Sequence, residues 1–239
     1  MCNCLKLIII VLSLCSCSNE KENTPIEDKP VIHYDKYSLE LDKNYNIFKV
    51  VFSSEITNGF SMEYYYYRDS IVKTERTIPG NSEVTTYYLN SRGLADSCKT
   101  IFAYNPAIRT FFYYDSTGYL KTSIQKGGYG TTTSYEYRNG NRISASFNPK
   151  LPAGIYSITY YYDSSVNLIN IETFTGPWLG VLNKNLVIKK GELTIDGGIE
   201  LTYNYILNSR GLPEKRTRIQ RMYNQETTII TSFEYKITE

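Results

Sequence analysis

The chain has 239 residues, 24 of them tyrosine against 18 leucine, with 41% hydrophobic content and a formal net charge of +2. That apolar fraction is enough for a core and rules out a disordered or collagen-like chain. Its 26 Lys/Arg and 24 Asp/Glu are interspersed, which leaves no basic footprint for nucleic acid and no acidic tail.

Residues 1–16 read as a lipoprotein signal peptide. Lys6 precedes the apolar run Leu7-Ile8-Ile9-Ile10-Val11-Leu12-Ser13-Leu14, too short to span a bilayer. Leu14-Cys15-Ser16-Cys17 follows and is similar to a bacterial lipobox, with a small residue before the thiol that would carry the acyl anchor. Cys17 is therefore the expected lipidation site, and an ordinary signal peptide with incidental cysteines is the alternative. Cleavage before Cys17 would leave Cys98 without an internal partner, as a small filler side chain rather than a nucleophile.

Residues 17–35 read as a flexible, lipid-anchored tether, polar and without periodicity. Glu20 and Glu22 resemble the acidic export signal of surface-exposed lipoproteins of Bacteroidetes bacteria. The expected location is the outer membrane, lipid-anchored and facing the cell surface, with the periplasmic leaflet as the alternative.

Residues 36–239 read as one β domain. Residues 37 to 53 read as an opening hairpin around Asp42-Lys43-Asn44, and the chain then repeats a unit of aromatic strand, polar turn and second strand. Its copies are TTYYLNSRGL (85–94), TFFYYDSTGYL (110–120), TSYEYRNGNRI (133–143), ITYYYDSSVNL (158–168) and TYNYILNSRGL (202–212). Gly93, Gly118 and Gly140 supply the positive φ that hairpin turns need. Alternation is clean in places. Thr131, Thr133, Tyr135 and Tyr137 share one face; Ile143, Ala145 and Phe147 oppose Arg142, Ser144 and Ser146; Ile229, Thr231, Phe233, Tyr235 and Ile237 share another face.

An insertion at 176–198 carries the single tryptophan in TGPWLGVLNKNL, residues 175–186. It either folds back as a plug over the mouth of the curled sheet, the favoured reading, or stands out as a recognition loop. No helical stripe of ten residues occurs after residue 35. The predicted fold is all-β, a long antiparallel meander of a dozen or more short hairpin strands rolled into an open or partly closed barrel. Short strands and charges within them, Lys99, Lys121, Arg142, Lys215 and Arg218, favour a barrel in water over one in lipid.

The units YYDSTGYL, YYDSSVNL and YNYILNSRGLPEKRT, with GPWLGVLNKNL and the closing TTIITSFEYK, resemble a family of secreted Bacteroidetes lipoproteins of unknown function with a porin-like half-barrel β fold. The turns also resemble the YD repeats of large secreted bacterial shell proteins. The resemblance covers about residues 60 to 239 and implies the fold and the compartment. It implies no activity and carries over no catalytic residue.

No catalytic motif stands out, and no cofactor or metal is expected. There is no histidine after His33 for a nucleophilic triad, and Gly127-Gly128-Tyr129-Gly130 reads as a turn joining strands rather than a phosphate loop. Paired carboxylates drawn from Glu63, Glu136, Glu172, Glu200 and Glu234 leave a glycosidase as the weakest reading. The leading expectation is a non-catalytic binding module that stacks a glycan or peptide on Trp178, Tyr65, Tyr67 and Tyr161 of an aromatic concave face. The alternative is a structural or assembly partner of an outer-membrane protein, received on that face or along a free sheet edge.

Overall fold

In a computed structural model the described residues run from 31 to 238, except 55–58, 78–81, 129, 149–153, 182, 195–196 and 224. The signal peptide, Cys17 and the tether up to residue 30 lie outside them. Residues 31–35, expected to end the tether, are instead the start of the first strand.

Fifteen strands follow one another. They are β1 (Val31–Asp42), β2 (Ile47–Ser54), β3 (Phe60–Tyr66), β4 (Ser70–Thr77), β5 (Ser82–Leu89), β6 (Ala95–Phe102), β7 (Ile108–Tyr114) and β8 (Leu120–Lys126). Then come β9 (Thr132–Arg138), β10 (Asn141–Asn148), β11 (Ser157–Val166), β12 (Asn185–Thr194), β13 (Gly197–Leu207), β14 (Pro213–Met222) and β15 (Gln225–Thr238). Each pairs antiparallel with its neighbour in sequence, and β1 pairs with β15 to close the barrel. In a meander with an odd number of strands the first and last point the same way, so the closing pair has to be parallel. It is, over twelve residue pairs from Val31↔Thr227 to Asp42↔Thr238. The all-β meander rolled into a barrel is as expected, and the strand count meets the expectation of a dozen or more; the barrel is closed rather than open or partly closed.

The repeated turns share one geometry. Asn90, Asp115 and Asn208 each accept, through Oδ1, the backbone N–H groups two and four residues on. Gly93, Gly118 and Gly211 sit at φ of 73°, 93° and 76° and donate back to those same residues' carbonyls. An acceptor side chain followed three residues later by glycine is thus what the Asn/Asp-Ser-x-Gly signature encodes. Asn139-Gly140 makes the tighter two-residue turn with both φ positive.

The tyrosine excess has a structural cause at this end of the barrel. Six strands carry one extra residue near their start, and the ladder shifts register around Phe48, Asp96, Lys121, Ile143, Ile188 and Glu214. Such a bulge takes a backbone group out of the ladder. At five of them, all but the one at Lys121, an inward tyrosine of the next strand donates its hydroxyl to the carbonyl just before the extra residue. The pairs are Tyr66 to Ile47 (2.7 Å), Tyr114 to Ala95 (3.0 Å), Tyr162 to Arg142 (2.6 Å), Tyr205 to Val187 (2.9 Å) and Tyr235 to Pro213 (2.6 Å). Leucine or phenylalanine could fill the space but would leave those carbonyls unpaired.

The bulge in β10 also corrects the expected alternation. Arg142 pairs with Tyr137 and Ser144 with Glu136, so Ile143 is the extra residue and Arg142 turns into the barrel. The outer wall carries cross-strand ion pairs such as Lys36–Glu234 (2.6 Å), Lys49–Glu63 (3.2 Å) and Lys189–Glu200 (2.6 Å).

Candidate functional site

The interior divides into a packed half and a polar half. Residues 167–181 and 183–184, between β11 and β12, run across the turn-bearing end and into the barrel. The insertion thus begins before the break seen at Gly176, and residues 185–194 of the expected insertion are strand β12. Val181 N–H donates to the Gly118 carbonyl and Lys184 N–H to that of Gly140, which ties the segment to two hairpin turns. A 3-10 turn at Pro177–Leu179 then puts Trp178 inside, 4% exposed. Its ring lies 5.7 Å from those of Tyr64 and Tyr66 and 6.1 Å from Tyr87. Tyr64 donates to the Phe174 carbonyl at 2.8 Å, and the Phe174 ring meets Tyr37 at 4.8 Å. Of the two readings of the insertion, the plug is the one observed.

The sequence-predicted ligand residues are therefore not brought together. Trp178 is buried in the plug, whereas Tyr65 and Tyr161 point outward from β3 and β11, and Tyr67 is exposed in the turn after β3. Tyr65 donates to Glu63 at 2.8 Å on the outer wall, and Tyr161 lies beside a shallow outer depression floored by Gly191 and Gly198. Cys98 is buried and free in the core, and burial pushes its thiol up. Of the glutamates considered for catalysis, Glu63, Glu136, Glu200 and Glu234 face outward. Glu172 sits in the plug rather than on a strand and reaches the interior.

The polar half holds a cavity of about 570 Å³ between the plug and the walls β9 to β14, with Tyr37 of β1. Tyr37, Tyr135, Tyr160 and Tyr203 give it aromatic walls, and Arg142, Lys190, Arg216 and Arg218 give it positive charge. Glu172 and Glu192 are its carboxylates, with Glu192 bonded to Lys190 at 2.6 Å. Two of the arginines are held by rings. The Arg142 guanidinium lies 4.7 Å from the Tyr160 ring centre and 5.5 Å from Tyr135, and that of Arg216 lies 5.7 Å from Tyr203 and 5.6 Å from Phe233. Such contacts keep a cation in place without a carboxylate. Burial works against the charge of Arg142, but Tyr160, Tyr137, Tyr135 and Glu172 outweigh it and hold its pKa above the ordinary guanidinium value. Burial likewise pushes Tyr160 up to about 12, partly opposed by Arg142, so its hydroxyl stays protonated at neutral pH.

None of the four cations stood out as a site residue in the sequence, yet β14 carried a signal. PEKRTRIQRM is polar on both faces: Arg216, Arg218 and Gln220 alternate with Lys215, Thr217 and Ile219. A strand with no apolar face, in a sheet that otherwise has one, marks a wet interior. The same facing alters one expectation: Arg142 and Arg218 line the lumen, so they say nothing about whether the outer wall meets water.

Likeness to known proteins bears on the fold. No protein-family model matches the chain, and none of the curated proteins matches it. Among solved structures, a crystal structure of a porin-like protein from Bacteroides uniformis superposes with a TM-score of 0.56 at 16% identity, covering 80% of this chain and 84% of that one. The two share a fold. At that identity the likeness speaks to the architecture, an all-β meander closed into a barrel, and leaves the chemistry of the lumen to this chain's own residues.

Proposed function

We propose that this protein is a lipid-anchored outer-membrane lipoprotein, displayed at the cell surface, whose barrel lumen binds a small polar ligand such as a glycan or peptide segment without transforming it. The observation that carries the reading is the 570 Å³ cavity lined by tyrosine rings and charged side chains beside a plugged end. Concave sites with a few convergent polar groups are where small ligands bind. The ligand site thus moves from the outward tyrosines to the inward ones.

The outer wall supports a barrel that stands in water on a tether. Lys36, Lys49 and Lys189 project outward from the strands in ion pairs, and a lysine facing lipid at mid-depth costs roughly 2–4 kcal/mol. No helix among the described residues is long and apolar enough to cross a membrane, which says nothing of strands. An assembly role through a free sheet edge loses its support, because the strand ladder among the described residues closes on itself.

The test is a glycan and peptide array probed with the chain from residue 29 onward, which keeps all of β1. Ligands found there should raise the thermal midpoint of unfolding and lose affinity when the lumen is altered by Tyr160→Ala, but not when the outer wall is altered by Tyr161→Ala. Binding weakened by Tyr161→Ala and untouched by Tyr160→Ala would refute the lumen as the site.

A further inference from the structure

The charge lining this cavity is not balanced by the groups that face it. The cavity wall carries four cations, Arg142, Lys190, Arg216 and Arg218, against the two carboxylates Glu172 and Glu192. Asp35, which faces inward one strand from Arg216 across Thr231, raises the carboxylates to three. Lys190 is taken by Glu192, but no carboxylate among the described residues lies within ion-pair distance of Arg142, Arg216 or Arg218. The Nε atoms of all three arginines are buried with no hydrogen-bond partner. Arg216 as a whole is only 8% exposed.

Burying even one guanidinium N–H without an acceptor is costly, and three at one cavity call for a common explanation. A guanidinium presents its donors in a flat fork that matches the oxygens of a carboxylate or sulfate. The aromatic walls supply the other half of a recognition surface, since Tyr37, Tyr135, Tyr160 and Tyr203 can pack on the faces of a ring. Glu172 has an unpartnered buried oxygen, Oε1, which can accept from a hydroxyl.

We infer that the lumen takes an acidic saccharide, with Arg142, Arg216 and Arg218 receiving its carboxylate or sulfate and the tyrosines packing on its rings. This rests on the lumen being the ligand site and names the ligand class for it. Arg142 also lines a second cavity, of about 220 Å³, between β7–β10 and the plug, so it stands where the polar lumen meets the plugged end.

The test is calorimetric titration of the full chain with a galacturonic acid trisaccharide, the neutral galactose trisaccharide, sodium sulfate and an acidic aspartate peptide. The acidic saccharide should bind, weaken as salt rises, and exceed the neutral one by about tenfold or more. Arg216→Gln and Arg218→Gln should each cost about tenfold or more in its affinity, with Arg→Lys recovering part of the loss. Arg218→Gln serves as the second variant if Arg216→Gln, removed from its two rings, lowers folding stability. Equal binding of the acidic and neutral trisaccharides would overturn the anion inference and leave the lumen reading standing. Sulfate or the peptide binding as tightly as the acidic saccharide would overturn the saccharide part. Failure of all four ligands to bind would overturn both readings.

Discussion

Replacing Tyr235 by phenylalanine removes one oxygen and nothing else, which isolates the part tyrosine plays at the bulges. In the folded chain that hydroxyl donates to the Pro213 carbonyl at 2.6 Å, and Pro213 is among the most completely buried residues. The variant loses a net hydrogen bond worth ~1 kcal/mol and strands a buried acceptor at a further ~1–2 kcal/mol, about 2–3 kcal/mol together. Tyr65→Phe is the matched control, because its hydroxyl bonds Glu63 on the exposed outer wall, where such losses stay within ~0.5 kcal/mol. Urea unfolding followed by fluorescence gives the difference from the midpoint shift at constant slope. For a domain of this size ~2–3 kcal/mol should also lower the thermal midpoint by roughly 4–12 °C. Combining Tyr66→Phe, Tyr114→Phe, Tyr162→Phe, Tyr205→Phe and Tyr235→Phe should remove ~10 kcal/mol or more, comparable to the whole stability of a domain, so that variant should not fold. A Tyr235→Phe protein no less stable than Tyr65→Phe would refute the idea that tyrosines are there to cap bulge carbonyls.

Stability should fall at alkaline pH, since burial pushes Tyr137 and Tyr160 up to about 12. The folded chain keeps these protons above pH ~10 where the unfolded chain releases them, so their contribution is intact below that pH and is lost by ~1.4 kcal/mol per pH unit for each as pH rises toward 12; urea midpoints that stay flat across this range would contradict it. A methyl group at Gly176 would sit 2.0 Å from the Trp178 ring, so Gly176→Ala should cost ~1–3 kcal/mol or more by displacing the plug, and an unchanged near-ultraviolet spectrum would count against the plug's packing. Trp178→Ala should cost ~3–5 kcal/mol, read in the same unfolding experiment. Cys17→Ala should release the protein from the membrane fraction, and its retention there would refute the acyl anchor.

Local events were legible in the chain alone. An Asn or Asp acceptor with glycine three residues on makes the same turn wherever it occurs, because its hydrogen bonds close within five residues. Alternation in β9 and β15 put Tyr135, Tyr137, Phe233 and Tyr235 on the inner face for the same reason: a strand's period of two is a property of the backbone. The insertion with its single tryptophan was legible as something that had to be covered, since an apolar loop is costly in water. Three matters were decided only by tertiary structure. Closure depends on β1 meeting β15 some 196 residues later, which no local pattern reports. Arg142 faces inward because a bulge adds one residue to β10, and a single extra residue reverses facing without changing composition. The charged cavity forms because Arg142, Arg216 and Arg218, on β10 and β14, converge where the plug leaves space, a consequence of curvature. The tyrosine excess belongs partly to each. Its period was written in the chain, but the carbonyls that require a hydroxyl rather than a plain ring appear only once the bulges and the barrel are formed.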